Sequence, residues 1–337
     1  MNVQLVIIFF TLVFIFSLAS TYCLILLAKS KGILDIPGKR SSHVSPTPRG
    51  GGFSVVLAVT LCILWFVYDS GDQSNWAWFG ATLFFVALVG FIDDIKGLSA
   101  CLRACLYVLF SLIYIISAHG FDIATKIEVI QIILGALVLT WMINLYNFMD
   151  GADGVAGLQA LIVAIPVTVI LVFSKQFEIA SLCLVIAASV LGFLVWNWAP
   201  AKIFMGDVGS CSLGFIFGCL MYQTHIDEII SIFFWLILMS MFLVDSTLTL
   251  LTRFLRGEKW YEAHCSHAYQ RYLQLGNSHQ KLAIGMLMVG IFYLWPLAYL
   301  MYHYPENKLH ITAIVYISMS LLWYFVQNSY YKTLGND

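Results

Sequence analysis

Between Asn147 and Gly157 the chain reads N-F-M-D-G-A-D-G-V-A-G, which sets Asn147, Asp150 and Asp153 among Gly151, Gly154 and Gly157. Carboxylates three residues apart can share one face of a helical turn, and glycines let backbone N–H groups come close to a ligand. The stretch follows an apolar run, Ile127 to Tyr146, long enough to cross a bilayer. It reads as a polar site at the mouth of a membrane helix.

Four further stretches carry groups able to do chemistry. In G-F-I-D-D-I-K-G, Asp93 and Asp94 are adjacent, with Lys96 two residues on. Neighbouring carboxylates repel unless a cation or shared proton compensates them, so the pair is either a solvated helix end or a place for a divalent metal, a metal-bound phosphate or Lys96. In I-F-M-G-D-V-G-S, Asp207 stands between Gly206 and Gly209. It is an N-cap or part of a metal–phosphate cluster at a helix N-terminus, where free N–H groups favour anions. In R-G-E-K-W-Y-E-A-H-C-S-H-A-Y-Q-R-Y, His264 and His267 lie beside Arg256, Lys259 and Arg271. No H-E-x-x-H pattern accompanies them, so phosphate contact fits better than zinc, and an interfacial segment with headgroup-level aromatics is the simpler reading. The stretch L-D-I-P-G-K-R-S-S-H-V-S-P-T-P-R-G-G-G offers Lys39, Arg40, His43 and Arg49, either as a basic linker attracted to anionic lipid or as an anion-binding flap stiffened by Pro46 and Pro48. Asp245 lies inside an apolar run, where an ionisable group marks a functional site or a buried polar pairing.

The elements that position these groups follow from composition. Of 337 residues, 61% are hydrophobic and 10% charged, against a usual charged share of roughly 25%. The chain is therefore expected to be an all-α integral membrane protein, a polytopic bundle of about 11 transmembrane helices. The runs are 3–28, 53–69, 76–92, 100–118, 127–146, 156–173, 177–196, 208–224, 229–252, 282–303 and 309–327. Gly214 and Gly218 give the eighth a small-xxx-small face suited to close packing. The first run has no basic residue before it and reads as a span and not a cleaved leader. The eight cysteines are scattered, with no paired C-x-x-C spacing. Residues 1–337 read as a single transmembrane domain.

With the N-terminus outside, every one of the 17 Lys and Arg residues except Lys126, Lys175 and Lys308 falls on one side. The positive-inside rule makes that side cytoplasmic, with the N-terminus periplasmic and the C-terminus cytoplasmic. All five patterned stretches then meet at the cytoplasmic face. Several carboxylates there need cations and the basic groups need anions, and a metal-bound nucleotide diphosphate satisfies both. Phosphoryl transfer is mostly positioning plus charge neutralisation, so the inventory suits it. A transporter using intramembrane carboxylates is the rival reading, although transporters bind near the midplane between repeated halves and no repeat is seen. A non-catalytic scaffold would not need Asp93, Asp94, Asp150, Asp153 and Asp207 together.

F-I-D-D-I-K-G, N-F-M-D-G-A-D-G-V-A-G, F-M-G-D-V-G-S and E-A-H-C-S-H-A-Y-Q, with the P-G-K-R-S-S-H-x-x-x-x-P-R-G-G loop, resemble in order and spacing the polyprenyl-phosphate N-acetylhexosamine-1-phosphate transferases. The last motif looks most like the branch that starts O-antigen or capsule repeat units. Cys265 and Ser266 interrupt the histidine run found in the peptidoglycan branch, which argues against UDP-MurNAc-pentapeptide as donor. The resemblance implies transfer of a sugar 1-phosphate from a UDP-N-acetyl amino sugar to undecaprenyl phosphate, releasing UMP, at the bacterial inner membrane. It implies Mg²⁺ (Mn²⁺ as the alternative) on Asp207, with Asp150 shaping the metal site. Asp93 would be nucleophile or base at the lipid phosphate, and Asp94 would support the metal or the acceptor. Asn147 and Asp153 would bind nucleotide, while Lys96, His264 and His267, with Arg40, His43 and Arg49 of the basic flap, would contact phosphates. The implied partners are these two substrates and membrane lipid, with no nucleic acid and with room for a homodimer.

Overall fold

The computed structural model describes residues 3–38, 45–69, 74–120, 125–259, 261–262 and 264–334. Among the described residues the chain is all-α apart from one two-residue ladder. The elements are α1 (Val3–Lys31), β1 (Leu34–Asp35), β2 (Thr47–Pro48), α2 (Phe53–Asp69), α3 (Ser74–Lys96), α4 (Ala100–His119), α5 (Lys126–Phe148), α6 (Val155–Phe173), α7 (Phe177–Asn197) and α8 (Asp207–Ile226). They continue with α9 (Ile232–Leu238), α10 (Ser240–Leu255), α11 (Ala268–Gln274), α12 (His279–Val289), a π-turn (Gly290–Leu294), α13 (Trp295–His303) and α14 (Lys308–Leu334). Among the described residues, eight helical stretches are long and apolar enough to cross a membrane, and the bent pair α9–α10 makes a ninth if it is one span. Helix α2 is 17 residues long. The chain is a multi-pass membrane protein.

Helix ends are set locally. Ser99 accepts the Leu102 N–H at the start of α4, and Thr125 with Glu128 closes a capping box on α5. Helix α8 lies at the centre, buried over nearly its whole length against α2, α3 and α5. Its small residues make that possible. A Cβ on Gly214 would strike the Met142 carbonyl of α5, and one on Gly218 would strike Leu139. Gly90 of α3 rides on the start of α8, where a Cβ would lie 2.5 Å from the Asp207 carbonyl oxygen.

One expected span is broken. Instead of a continuous helix over 229–252, the chain turns by 77° between α9 and α10 at Met239. A break inside a membrane protein frees carbonyls that must find donors. Gln159, fully buried on α6, donates its side-chain N–H to the Leu238 carbonyl at 3.0 Å. The expected span 282–303 is present from His279 to His303 but contains the π-turn ahead of Pro296, whose missing N–H relaxes the helical ladder. The last helix runs to Leu334, beyond the expected 327.

Candidate active site

The C-terminal ends of α3, α5, α7 and α10 and the N-terminal ends of α6, α8 and α12 meet at one end of the bundle. Their junction encloses a cavity of about 320 Å³. Asp35, Arg49, Asn147, Asp150, Asp153 and Asp207 line it. Motifs separated by more than 100 residues are brought together here by three loop contacts.

The first contact delivers Arg49. The glycines after Pro48 let the chain lie against residues 204–206. Gly51 and Gly52 donate to the carbonyls of Phe204 and Met205, both at 2.9 Å, and Phe204 donates back to the Pro48 carbonyl at 2.8 Å. Any Cβ on Gly52 would collide with Gly209.

The second contact builds the start of α8. Gly206 holds φ at 75° and sits against Asp94, so a side chain there meets both backbone strain and the carboxylate. Asp94 accepts the N–H groups of Asp207 at 2.9 Å and Val208 at 3.1 Å, and so caps α8. Arg49 reaches across with Nε 2.7 Å from Asp94 and Nη2 2.5 Å from Asp207. Arg103 of α4 joins the other oxygen of Asp207 at 2.8 Å and pairs with Asp93. Asp93 also accepts the Leu98 N–H at 2.5 Å. Three carboxylates and two guanidiniums therefore form one alternating chain, Asp93–Arg103–Asp207–Arg49–Asp94. Arg103 counts in the sequence only as a topological charge. Its role is visible once α3, α4 and α8 are packed.

The third contact shapes the loop between α5 and α6. Gly154 adopts φ 78° and donates to Asn197, whose own amide donates to the Ile203 carbonyl. The Asp153 carboxylate accepts the Ala201 N–H at 3.0 Å and stands 3.4 Å from His279, which accepts the Asp153 N–H. Asp153 thus latches its loop to α12 and the 199–201 turn while still facing the cavity. Asn147 donates to the Ser210 hydroxyl at 3.2 Å. Asp150 has neither an ion-pair partner nor a side-chain hydrogen bond among the described residues. Burial, then the neighbouring Asp207, pushes its carboxyl well above the usual range, with Arg49 opposing.

The histidines stand one ring layer behind this cavity. His267 is buried and stacks between Phe148 and Tyr269, both of which line the cavity. Asp245 accepts the N–H groups of Ala268 at 2.8 Å and Tyr269 at 3.1 Å and lies 3.5 Å from His267 Nδ1. The intramembrane carboxylate is thus the anchor of α11, which makes it a buried polar pairing. His264 packs on His267 with ring centroids 4.9 Å apart. Burial, then His267 and Arg253, pulls its imidazole down to about 4. Lys96 is exposed at the end of α3 and does not line the cavity. Arg40 and His43 lie outside the described residues.

The cavity wall carries, among the described residues, four carboxylates against the single guanidinium of Arg49. Among the described residues no three His, Cys, Asp or Glu side chains close to metal-ligand geometry. Mg²⁺ needs no such cage, since it keeps several waters and is held by one or two carboxylates together with substrate phosphates. Asp150, with no ion-pair partner among the described residues, offers oxygen donors of that kind, whereas Asp207 would have to give up Arg49 or Arg103 to supply one.

Residues 76–225 match the model of glycosyl transferase family 4. A Bacillus subtilis protein named "Probable undecaprenyl-phosphate N-acetylglucosaminyl 1-phosphate transferase" is 28% identical over 276 residues, covering 78% of this chain and 75% of the relative. The decaprenyl-phosphate N-acetylglucosaminephosphotransferase of Mycolicibacterium smegmatis is 28% identical over 308 residues, 78% and 73% of the two chains. The chain is thus similar to proteins named as polyprenyl-phosphate N-acetylglucosamine 1-phosphate transferases. A phospho-N-acetylmuramoyl-pentapeptide-transferase of Listeria monocytogenes is 32% identical over 212 residues, covering 57% of this chain and 65% of that one. The family match takes in Asp93, Asp94, Arg103, Asn147, Asp150, Asp153 and Asp207, while Arg49 and both histidines lie outside it. The transporter reading gains no support from these relatives.

Proposed function

We propose that this protein transfers an N-acetylhexosamine 1-phosphate from a UDP-sugar to undecaprenyl phosphate, releasing UMP, on the cytoplasmic face of the bacterial inner membrane. One observation carries the reading: an acidic cavity at the helix ends, whose wall residues Arg49 and Asp207 are the cavity-facing members of the Asp93–Arg103–Asp207–Arg49–Asp94 chain. In the reaction, an oxygen of the lipid phosphate attacks the sugar-bearing phosphorus of the donor. The bond from that phosphorus to the bridging oxygen breaks, and UMP leaves with the electron pair. One pyrophosphate is exchanged for another, so the step is nearly isoenergetic and needs only alignment and charge neutralisation.

The residues divide these tasks. Asp207 and Asp150 would hold Mg²⁺, which when bound neutralises charge on the donor pyrophosphate. Arg49, already at the cavity wall, is placed to turn from Asp207 toward a donor phosphate, and Arg103 keeps Asp207 oriented. Asp94 spends its oxygens on α8 and Arg49, which supports a positioning role. Asp93, which accepts the Leu98 N–H and pairs with Arg103, is the carboxylate assigned to take a proton from the lipid phosphate before its oxygen attacks. The tyrosine and histidine layer, Tyr269 and His267, closes the side toward α11. The excess of Lys and Arg on this face supports its cytoplasmic orientation, and the interrupted His264–His267 motif supports a donor of the O-antigen or capsule-initiating branch.

Purified protein given undecaprenyl phosphate, Mg²⁺ and a panel of UDP-N-acetylhexosamines should release UMP with at least one donor and yield the matching lipid by mass spectrometry. Failure with every donor, in protein that is folded and lipid-embedded, would overturn the reading.

A further inference from the structure

Behind the histidine loop lies a second cavity, of about 280 Å³, between the ends of α10 and α14 and the side of α11. Three guanidiniums, Arg253, Arg256 and Arg271, line it against one carboxylate, Glu258. Glu258 is committed to Arg253 at 2.6 Å. Arg256 and Arg271 converge on one phenol: both donate to the Tyr331 hydroxyl, Arg271 at 2.9 Å, and both lie over its ring. Tyr331 accepts these bonds but does not cancel the charge, so two like charges share a neutral partner. Among the described residues, the Nε atoms of Arg253 and Arg271 are buried with no hydrogen-bond acceptor. A buried donor on a charged group without an acceptor is costly, and planar guanidinium forks match phosphate oxygens.

We propose that this cavity is a phosphate-binding site separate from the transferase cavity, and that its ligand is the phosphodiester of an anionic phospholipid headgroup. Position favours the lipid source. The site lies at the end of two apolar helices, and the side chains around it, Phe254, Leu255 and Tyr324, are more than half exposed, as suits a bilayer interface. The site also touches the histidine loop. Arg253 donates to the Ser266 hydroxyl at 3.5 Å, Gln327 donates to the Ser266 carbonyl at 3.0 Å, and Ser266 bonds His264 Nδ1 at 2.9 Å. A bound headgroup therefore fixes Arg253 and, through Ser266, the loop that carries His264. Binding stands independently of the transferase reading; only an effect on turnover would rest on it.

The test measures thermal unfolding of detergent-purified full-length protein titrated with phosphatidylglycerol, phosphatidylcholine or inorganic phosphate. Wild type should be stabilised saturably by phosphatidylglycerol and not by phosphatidylcholine. Arg256→Gln, which changes an exposed side chain, should weaken that response about tenfold, the scale of one charge-assisted hydrogen bond, with the phosphatidylcholine baseline unchanged. Arg271→Gln should do the same. If Arg271→Gln fails to fold, Arg256→Gln and Tyr331→Phe carry the test. Stabilisation by inorganic phosphate alone, lost in the same variants, would keep the phosphate site and overturn its lipid source. No response to either anion, or an undiminished response in Arg256→Gln, overturns the site.

Discussion

The Asp94 carboxylate caps the helix that Asp207 begins, accepting the Asp207 N–H at 2.9 Å and the Val208 N–H at 3.1 Å. Two acidic residues 113 positions apart are thereby locked in one orientation, with Arg49 bridging their side chains. Removing the cap should loosen the start of α8 and leave Arg49 short of a partner. Asp94→Ala should cost about 3 kcal/mol of stability, the scale of breaking a buried ion pair. Thermal or denaturant unfolding in detergent reads this out, and an unchanged midpoint would refute the capping role.

Arg103→Ala should leave Asp93 and Asp207 facing each other without their shared cation. UMP release should fall about a hundredfold or more, two lost charge-assisted hydrogen bonds being worth roughly that. Arg103→Lys should recover part of it, since an ammonium supplies charge without the fork. Equal activity in wild type and Arg103→Ala would show that the bridge is dispensable.

Asp207→Asn should abolish Mg²⁺-dependent turnover while the protein still inserts and folds, because the amide keeps the shape and loses the charge. Side-chain hydrogen bonds to Arg49 and Arg103 will weaken too, so the fold must be checked by its unfolding midpoint. Normal turnover at ordinary Mg²⁺ concentrations would remove Asp207 as a metal ligand.

His264 predicts a pH dependence of stability. Its folded-state pKa is about 4, below the usual 6.5, so the unfolded chain binds the proton more readily. Stability should be fully present above about pH 6.5 and decline as the pH falls toward 4. Solvent at this half-buried ring reduces the size of the effect. His264→Gln should flatten the midpoint-versus-pH curve over that window. A wild-type curve with the opposite slope would contradict the burial of the ring.

Asp245→Ala should release the N-terminus of α11 without touching the cavity wall. Amide exchange at Ala268 and Tyr269 should accelerate, and kcat should fall more than KM rises if the loop acts by position. Unchanged exchange at those two amides would mean that Asp245 does not anchor the loop.

Much of this architecture was legible because a bilayer imposes a length and a polarity on each helix. The runs at 53–69, 100–118 and 177–196 match α2, α4 and α7 almost residue for residue. The break at Met239 was not legible, because the donor that satisfies it, Gln159, lies 79 positions away from Leu238 on another helix. Within the site, acidic motifs flanked by glycine identified Asp150 and Asp207, both of which line the cavity. Lys96 and Arg103 show the limit: both are basic residues near Asp93, and only packing brings Arg103 onto the carboxylates and leaves Lys96 outside the cavity. Asp153 was legible as a polar site residue, but not as a latch, since Ala201 and His279 carry no pattern that points to it.

Gly90 has no chemistry of its own, yet its missing side chain sets the distance between α3 and α8. A methyl group there would land 2.5 Å from the Asp207 carbonyl oxygen, and the two helices would have to part at the level where Asp93, Asp94 and Asp207 meet. Gly90→Ala should therefore imitate a lesion in the carboxylate cluster itself, with turnover lost and every one of its side chains still in place. In a genetic screen for inactive alleles, this position would be counted among the site residues although nothing there reaches a substrate.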